Sequence, residues 1–270
     1  MRTRVLSTGL AMGESPRWHD GRLWLCDWLA GEVLRIDGAG RREVVHRIDG
    51  LPVSIDWLPD GREVCTTPRG VVVGPDLAAY GGTGRPWNEI VVDPRGRVFV
   101  NMPGSAPGED PRPGILAVIE PDGTTREVAD DLWFPNGMAL TPDGSLVVAE
   151  SHAARLTAFT ITADGSLTDR RVWAELGEGA PDGICLDVEG AIWYADVPHR
   201  HCRRVAEGGR VLDTVEVDRG CFACMLGGPD GRTLHIVATD WERLDWQHGG
   251  GERTGQVLTV RAPAPHAGRP

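Results

Sequence analysis

Four side chains carrying oxygen donors stand at matching distances ahead of glycine turns. Asn88 lies eight residues before Gly96, Asn136 eight before Gly144, and Asp182 eight before Gly190. Glu14 lies seven before Gly21, an offset its longer side chain can cover. If the turns are equivalent, the four share one register. Two carboxylates and two amide carbonyls make a hard donor set, better suited to calcium or magnesium than to a soft metal. No histidine shares the register, which weighs against zinc. Two acids aimed at one point also repel each other unless a cation lies between them. Taken singly, Asn136-Gly137 and Asp182-Gly183 read equally well as turn dipeptides. The repetition of one spacing in four places favours a ring.

A second set trails the same turns. Asp27, Glu150 and Asp196 fall six residues after their glycines, and Asn101 falls five after its own. They are candidates to support the ring or accept a proton, or are simply polar strand ends. Trp87, Trp133, Phe134 and Met138 flank the ring residues and are candidates to wall an apolar pocket. His152, His199 and His201 lie near strand ends and read as loop surface, and Trp241 and Trp246 fall in the loop before the last strand.

What must position these residues is a repeated hairpin. Its copies are SPRWHDGRLWLCDW, SIDWLPDGREVCTT, EIVVDPRGRVFVN, GMALTPDGSLVVAE, GICLDVEGAIWYAD and CMLGGPDGRTLHIVATD. The turn glycines are Gly21, Gly61, Gly96, Gly144, Gly190 and Gly231, spaced by 40, 35, 48, 46 and 41 residues. Apolar runs on both sides of a glycine turn are the hairpin signature. A period near 40–45 residues with about four strands per unit describes a propeller blade. The reading is all-β: a six-bladed β-propeller with four-stranded antiparallel blades, a single domain over 1–262, and 263–270 as a poorly ordered tail. Thr3–Ser7 is placed to complete the sheet that ends in QVLTVRA. In such a ring the innermost strands run the same way beside the axis, so one register position per blade encircles it. The positions matching the four donors elsewhere are Val53 or Ser54, and Ala223.

The 36 glycines and 20 prolines suit a turn-rich fold. A net charge of −11 disfavours nucleic acid and anionic membranes as partners. No apolar stretch after Arg2 and Arg4 resembles a signal peptide, and GILAVI is too short to span a bilayer. The expectation is a cytoplasmic protein, a monomer or weak homodimer, acting on a small molecule. Six cysteines then read as reduced, buried thiols, the Cys221/Cys224 pair included.

GESPRW at 13–18, NEIVVDPRGRVFVN at 88–101, PNGMALTPDG at 135–144 and PDGICLDVEGAIW at 181–193 resemble the SMP-30/gluconolactonase/luciferin-regenerating-enzyme family, in order and to about Thr239. The resemblance implies a six-bladed propeller with one catalytic divalent metal, usually calcium, with magnesium, manganese or zinc as other ions it could take. It implies that Glu14, Asn136 and Asp182 are metal ligands, that Asn88 touches metal and substrate, and that Asp182 is the general base. This chain departs from the family in carrying Asn88-Glu89 for Asn-Asp, and Pro86-Trp87 with Arg85 one place off the position of a sugar-contacting arginine.

The expected activity is therefore that of a calcium-dependent lactonase or esterase in which Asp182 activates water. Asn88, Asn101, Trp87, Arg85 and Trp133 are the expected substrate contacts. Phosphotriester hydrolysis, another metal-assisted reaction on an apolar metabolite, and a non-catalytic binding propeller are the competing readings. Converging carboxylates argue against a mere scaffold.

Overall fold

All six turn glycines adopt left-handed backbone, with φ between 69° and 86°. Only glycine does this without strain, so each repeat folds back where the sequence places its glycine. The computed structural model describes residues 1–106, 109–244 and 251–268. They form six four-stranded antiparallel sheets, and no α-helix. The sheets are the blades of a six-bladed β-propeller.

The inner strands of blades 1 to 6, numbered in chain order, are Gly13–His19, Ile55–Trp57, Ile90–Val92, Pro135–Leu140, Pro181–Leu186 and Gly220–Gly227. They are buried almost throughout, whereas outer strands such as Leu167–Glu175 turn polar residues to solvent. The apolar core lies between neighbouring blades rather than within one sheet. Leu58, Val64 and Val71 of blade 2, for example, pack against Ile90, Val98 and Ile119 of blade 3. A blade cannot bury both faces alone, which is why the ring must close.

Closure joins the two ends of the chain. Strand Arg4–Leu10 adds to Gly255–Arg261 as the outermost strand of blade 6, with Val5 opposite Leu258 and Leu10 opposite Gly255. The expectation of a loose tail after Ala262 does not hold for residues 263–268. Ala264 is fully buried. The Pro265 carbonyl accepts from Val188 at 3.0 Å, His266 N–H donates to Gly231 at 3.0 Å, and Ala267 N–H to Leu186 at 3.1 Å. This strap crosses the end of the barrel where the inner strands finish, tying blade 6 to blade 5. Its backbone found partners in turns 187–190 and 228–231, which composition does not reveal.

All six cysteines are buried and unbridged. No helix among the described residues is long and apolar enough to cross a membrane. Deleting residues 263–270 removes three main-chain hydrogen bonds worth about 1 kcal/mol each. At roughly 2–4 °C per kcal/mol for a chain of this size, the melting temperature is expected to fall by about 6–12 °C in calorimetry.

Candidate metal centre

Every inner strand starts at the same face of the ring, and local irregularities there aim side chains at the axis. In blade 1 the pairing passes from Glu14 opposite Cys26 to Arg17 opposite Trp24, so two residues face one. The same bulge lies between Pro135 and Met138 in blade 4 and between Pro181 and Ile184 in blade 5. Bulges redirect a side chain that regular pleating would send elsewhere. Glu14, Asn136 and Asp182 all sit at or within these bulges, and Asn88 stands beside Ile90–Val92 with its N–H on Asn101 O at 2.7 Å. All four are at most 9% exposed.

The dipeptides Asn136-Gly137 and Asp182-Gly183 lie in strands, not turns. A methyl on Gly137 would stand 2.6 Å from Asp182 O, and one on Gly183 would stand 2.5 Å from Ala223 Cβ. The glycines let adjacent inner strands approach at the level of the ring.

Side chains pass hydrogen bonds from blade to blade at this level. Ser15 Oγ accepts from Ile55 N at 3.1 Å, and Ser54 Oγ donates to Asn88 O at 2.7 Å. Asn101 Nδ2 donates to Asn136 O at 2.7 Å, Ser151 Oγ to Pro181 O at 2.6 Å, and the Cys224 thiol to Gly183 O at 3.7 Å. These bonds cross five of the six blade junctions and hold the residues bearing the donors.

The electrostatics are lopsided. Burial raises the Glu14 carboxyl well above its ordinary value, and Asp182 and Glu89 raise it further. Burial likewise raises Asp182, helped by Glu89 and Asp196, although Asn136 hydrogen-bonds its carboxylate. Glu89 is raised by burial despite Arg17, whose Nη2 lies 3.5 Å from its Oε2. Three carboxyls thus meet one guanidinium near the axis. Asp182 Oδ1 is buried with no hydrogen-bond partner. An orphaned carboxylate oxygen beside a second acid and two amides is the environment a divalent cation satisfies. Among the described residues no group of three or more His, Cys, Asp or Glu forms a metal cluster; the ring's donors are two acids and two amides.

Glu89 is the site residue that the register argument missed. Asn88 and Glu89 are consecutive, so regular pleating would send one of them away from the axis. The pairing is irregular instead, with Asn101 N–H on Glu89 O at 3.2 Å, and Glu89 Oε1 lies 3.3 Å from Ser54 Oγ. An acid adjacent to a ring residue, with Arg17 three places past Glu14, was the available signal.

The trailing acids anchor the approach to each inner strand. Asp27 accepts from Ala11 and Met12 N–H at 2.9 and 2.8 Å, Glu150 from Trp133 N–H at 2.8 Å, and Asp196 from Ala180 N–H at 2.9 Å. Burial pushes Glu150 up, but Arg155, Thr157 and the Trp133 N–H outweigh it and leave the carboxyl below its ordinary value. These acids are occupied by positioning.

The structure does not bring the expected substrate contacts together. Asn101 is fully buried with its amide committed to Asn136. Trp87 is buried between blades 2 and 3, its indole N–H on Gly82 O at 2.7 Å. Arg85 turns outward to Glu127 at 2.7 Å and covers the Trp87 ring. Met138 packs into the core between blades 3 and 4. Trp133, 37% exposed, does reach the rim, beside Phe134, whose ring meets that of His152 at a tilt, 4.5 Å between centroids. His201 is buried near Asp196 rather than on a loop surface, because the strand His201–Val205 begins there. Trp241 is partly exposed, against Gly220, and Trp246 lies outside the described residues.

Fold and site together define a six-bladed propeller with an acid-and-amide ring at one end of its axis. Residues 12–240 match the SMP-30/gluconolactonase/LRE-like region, and the chain belongs to that family. It is 29% identical to a pentonolactonase of Haloferax volcanii over 99% of this chain and 96% of that one. It is 25% identical to a 6-deoxy-6-sulfogluconolactonase of Pseudomonas putida, covering 96% and 94%. Among solved structures, a calcium-binding protein, regucalcin, from Agrobacterium tumefaciens superposes with a TM-score of 0.81 at 21% identity, covering 100% of this chain and 96% of that one.

The raised carboxyls set a sign for stability. Without metal, Glu14 and Asp182 bind protons more tightly folded than unfolded, so their contribution is lost as pH rises from the ordinary carboxylate range through their raised folded values. In chelator, melting temperature is expected to fall as pH rises above the ordinary carboxylate range, with millimolar calcium or Asp182→Asn flattening the slope. A chelator profile unchanged by Asp182→Asn would contradict this account.

Proposed function

We propose that this chain is a divalent-metal-dependent lactonase whose reaction takes place at the axial ring. The observation that carries the reading is the partnerless Asp182 Oδ1 beside buried Glu14. The family and the names of two relatives, a pentonolactonase and a sulfogluconolactonase, support the same chemistry. Glu14, Asn136 and Asp182 are the residues that would hold the ion, with calcium the first choice for this donor set. A cation bound there polarises the ester carbonyl and keeps both acids ionised.

Asp182 takes a proton from the water that attacks the lactone carbonyl carbon. The C–O ring bond then breaks, and Asp182 returns the proton to the departing alkoxide, giving a hydroxy acid. Asn88 orients the ester from blade 3, two blades away from that of Asp182. Asp196 and Glu150 contribute by fixing the segments that carry Asp182 and Asn136.

The mouth points away from sugar lactones. Arg85 is engaged by Glu127 rather than turned to the axis. The rim instead offers Trp133 and the tilted Phe134–His152 pair. We therefore assign a lactone with an apolar substituent, processed in the cytoplasm as a small-molecule substrate.

Metal content, variant kinetics and substrate preference test this. Metal analysis is expected to find about one calcium per chain, lost in Glu14→Gln and Asp182→Asn. Asp182→Asn is expected to lower kcat on its best lactone by about 10²–10⁴-fold. An alkyl-substituted δ-lactone is expected to give a higher kcat/KM than glucono-1,5-lactone. Full activity of the metal-stripped enzyme in chelator would overturn the mechanism, and preference for the sugar lactone would overturn the substrate class alone.

A further inference from the structure

A buried guanidinium stands beside the ring that the proposed reaction uses. Arg17 lies three residues past Glu14 on the inner strand of blade 1 and is 6% exposed. Its fork spans two blades that are not neighbours. Nη1 donates to Pro16 O at 3.0 Å, inside the bulge that carries Glu14. Nη2 donates to Ile90 O at 2.7 Å, in blade 3. Glu89 is held more loosely, its Oε2 lying 3.5 Å from the same Nη2. Main-chain oxygens thus anchor the guanidinium, and its place does not depend on Glu89. A lysine, with one point of charge, would not bridge both carbonyls in this way.

Glu89 is fixed by groups other than Arg17 as well. Its Oε1 lies 3.3 Å from Ser54 Oγ, and its Oε2 accepts from Ile90 N–H at 3.3 Å. Ser54 immediately precedes the inner strand of blade 2 and also donates to Asn88 O at 2.7 Å. Three consecutive blades therefore meet around one ion pair.

The charges there are arranged for balance. Burial first, and then neighbouring acids that include Glu89, raise the carboxyls of Glu14 and Asp182. Arg17 acts in the other sense on Glu14 and on Glu89. Asp196, which also bears on Asp182, is occupied by Ala180 N–H and His199. Within the cluster of Glu14, Asp182, Glu89 and Arg17, three carboxylates less one guanidinium leave two negative charges. One divalent ion cancels that amount.

We infer that the Arg17–Glu89 pair sets the charge of the ring: Arg17 is a fixed positive charge that opposes a divalent cation, and Glu89 is the residue that cancels it. Both are positioning residues, and neither is among the ligands named above. The inference rests on the metal reading and goes beyond it, because it assigns cation affinity to a pair outside the donor set.

The test is calorimetric titration of calcium into the full chain after treatment with chelator. Glu89→Gln keeps the side chain's size and leaves Arg17 on Pro16 and Ile90, so calcium is expected to bind about 10–100-fold more weakly. Glu89→Asp keeps the charge and is expected to stay within about threefold of the wild type. Adding Arg17→Met to Glu89→Gln removes the uncancelled charge and is expected to recover most of the lost affinity. A pair needed only for folding predicts the opposite, since the double variant also gives up the bonds to Pro16 and Ile90. Glu89→Gln within about twofold of the wild type overturns the inference, as does a double variant no tighter than Glu89→Gln. Melting curves identify a variant that does not fold; if Arg17→Met is one, the contrast between Glu89→Gln and Glu89→Asp decides. A wild type that binds no calcium overturns the metal reading and this inference together. Calcium binding indifferent to Glu89→Gln overturns this inference alone.

Discussion

The structure is organised around an electrostatic demand at its axis. Glu14, Asp182 and Glu89 are brought together out of water, and Arg17 is the guanidinium paired among them. Burying carboxylates costs far more than any single hydrophobic contact returns unless the charge is matched. The acids therefore hold protons or share a cation. A fold that only needed to close a ring would fill these positions with small apolar residues, as it does at Ala223. The ring is thus a local violation of good packing, and such violations mark functional sites.

Holding the acids in place is the task of groups that never meet a substrate. Bonds such as Asn101 to Asn136 O and Ser151 to Pro181 O join neighbouring blades at the level of the ring. Asp27, Glu150 and Asp196 fix the chain just before three of the inner strands. Each blade positions its neighbour's donor as well as its own. Double substitutions in adjacent blades, Asn101 with Ser151 for instance, are on that ground non-additive.

The fold was legible because its signals are local and repeated. A glycine turn between two apolar runs forces a hairpin, and six such turns at a blade-like spacing leave one architecture. The register of Glu14, Asn88, Asn136 and Asp182 followed from the same turns. What stayed hidden depended on direction. Trp87 and Arg85 neighbour a ring residue in sequence, yet the indole belongs to an interblade core and the guanidinium to Glu127. Glu89 stood out only as a departure from the family pattern, and the register argument left it out of the ring because irregular pairing overrides alternation. The strap 263–268 looks like a tail in composition, and only the geometry of two turns supplies partners for its backbone.

The strand that closes the ring imposes an order on synthesis. Residues Arg4–Leu10 are synthesised well before Gly255–Arg261, with which they pair, and the Arg4–Thr259 contact spans 255 residues. At roughly 5–20 residues per second the first strand waits on the order of tens of seconds for its partner. Throughout that time blade 6 is incomplete and the nascent ring has an open edge, the kind of surface that recruits chaperones or a neighbouring copy.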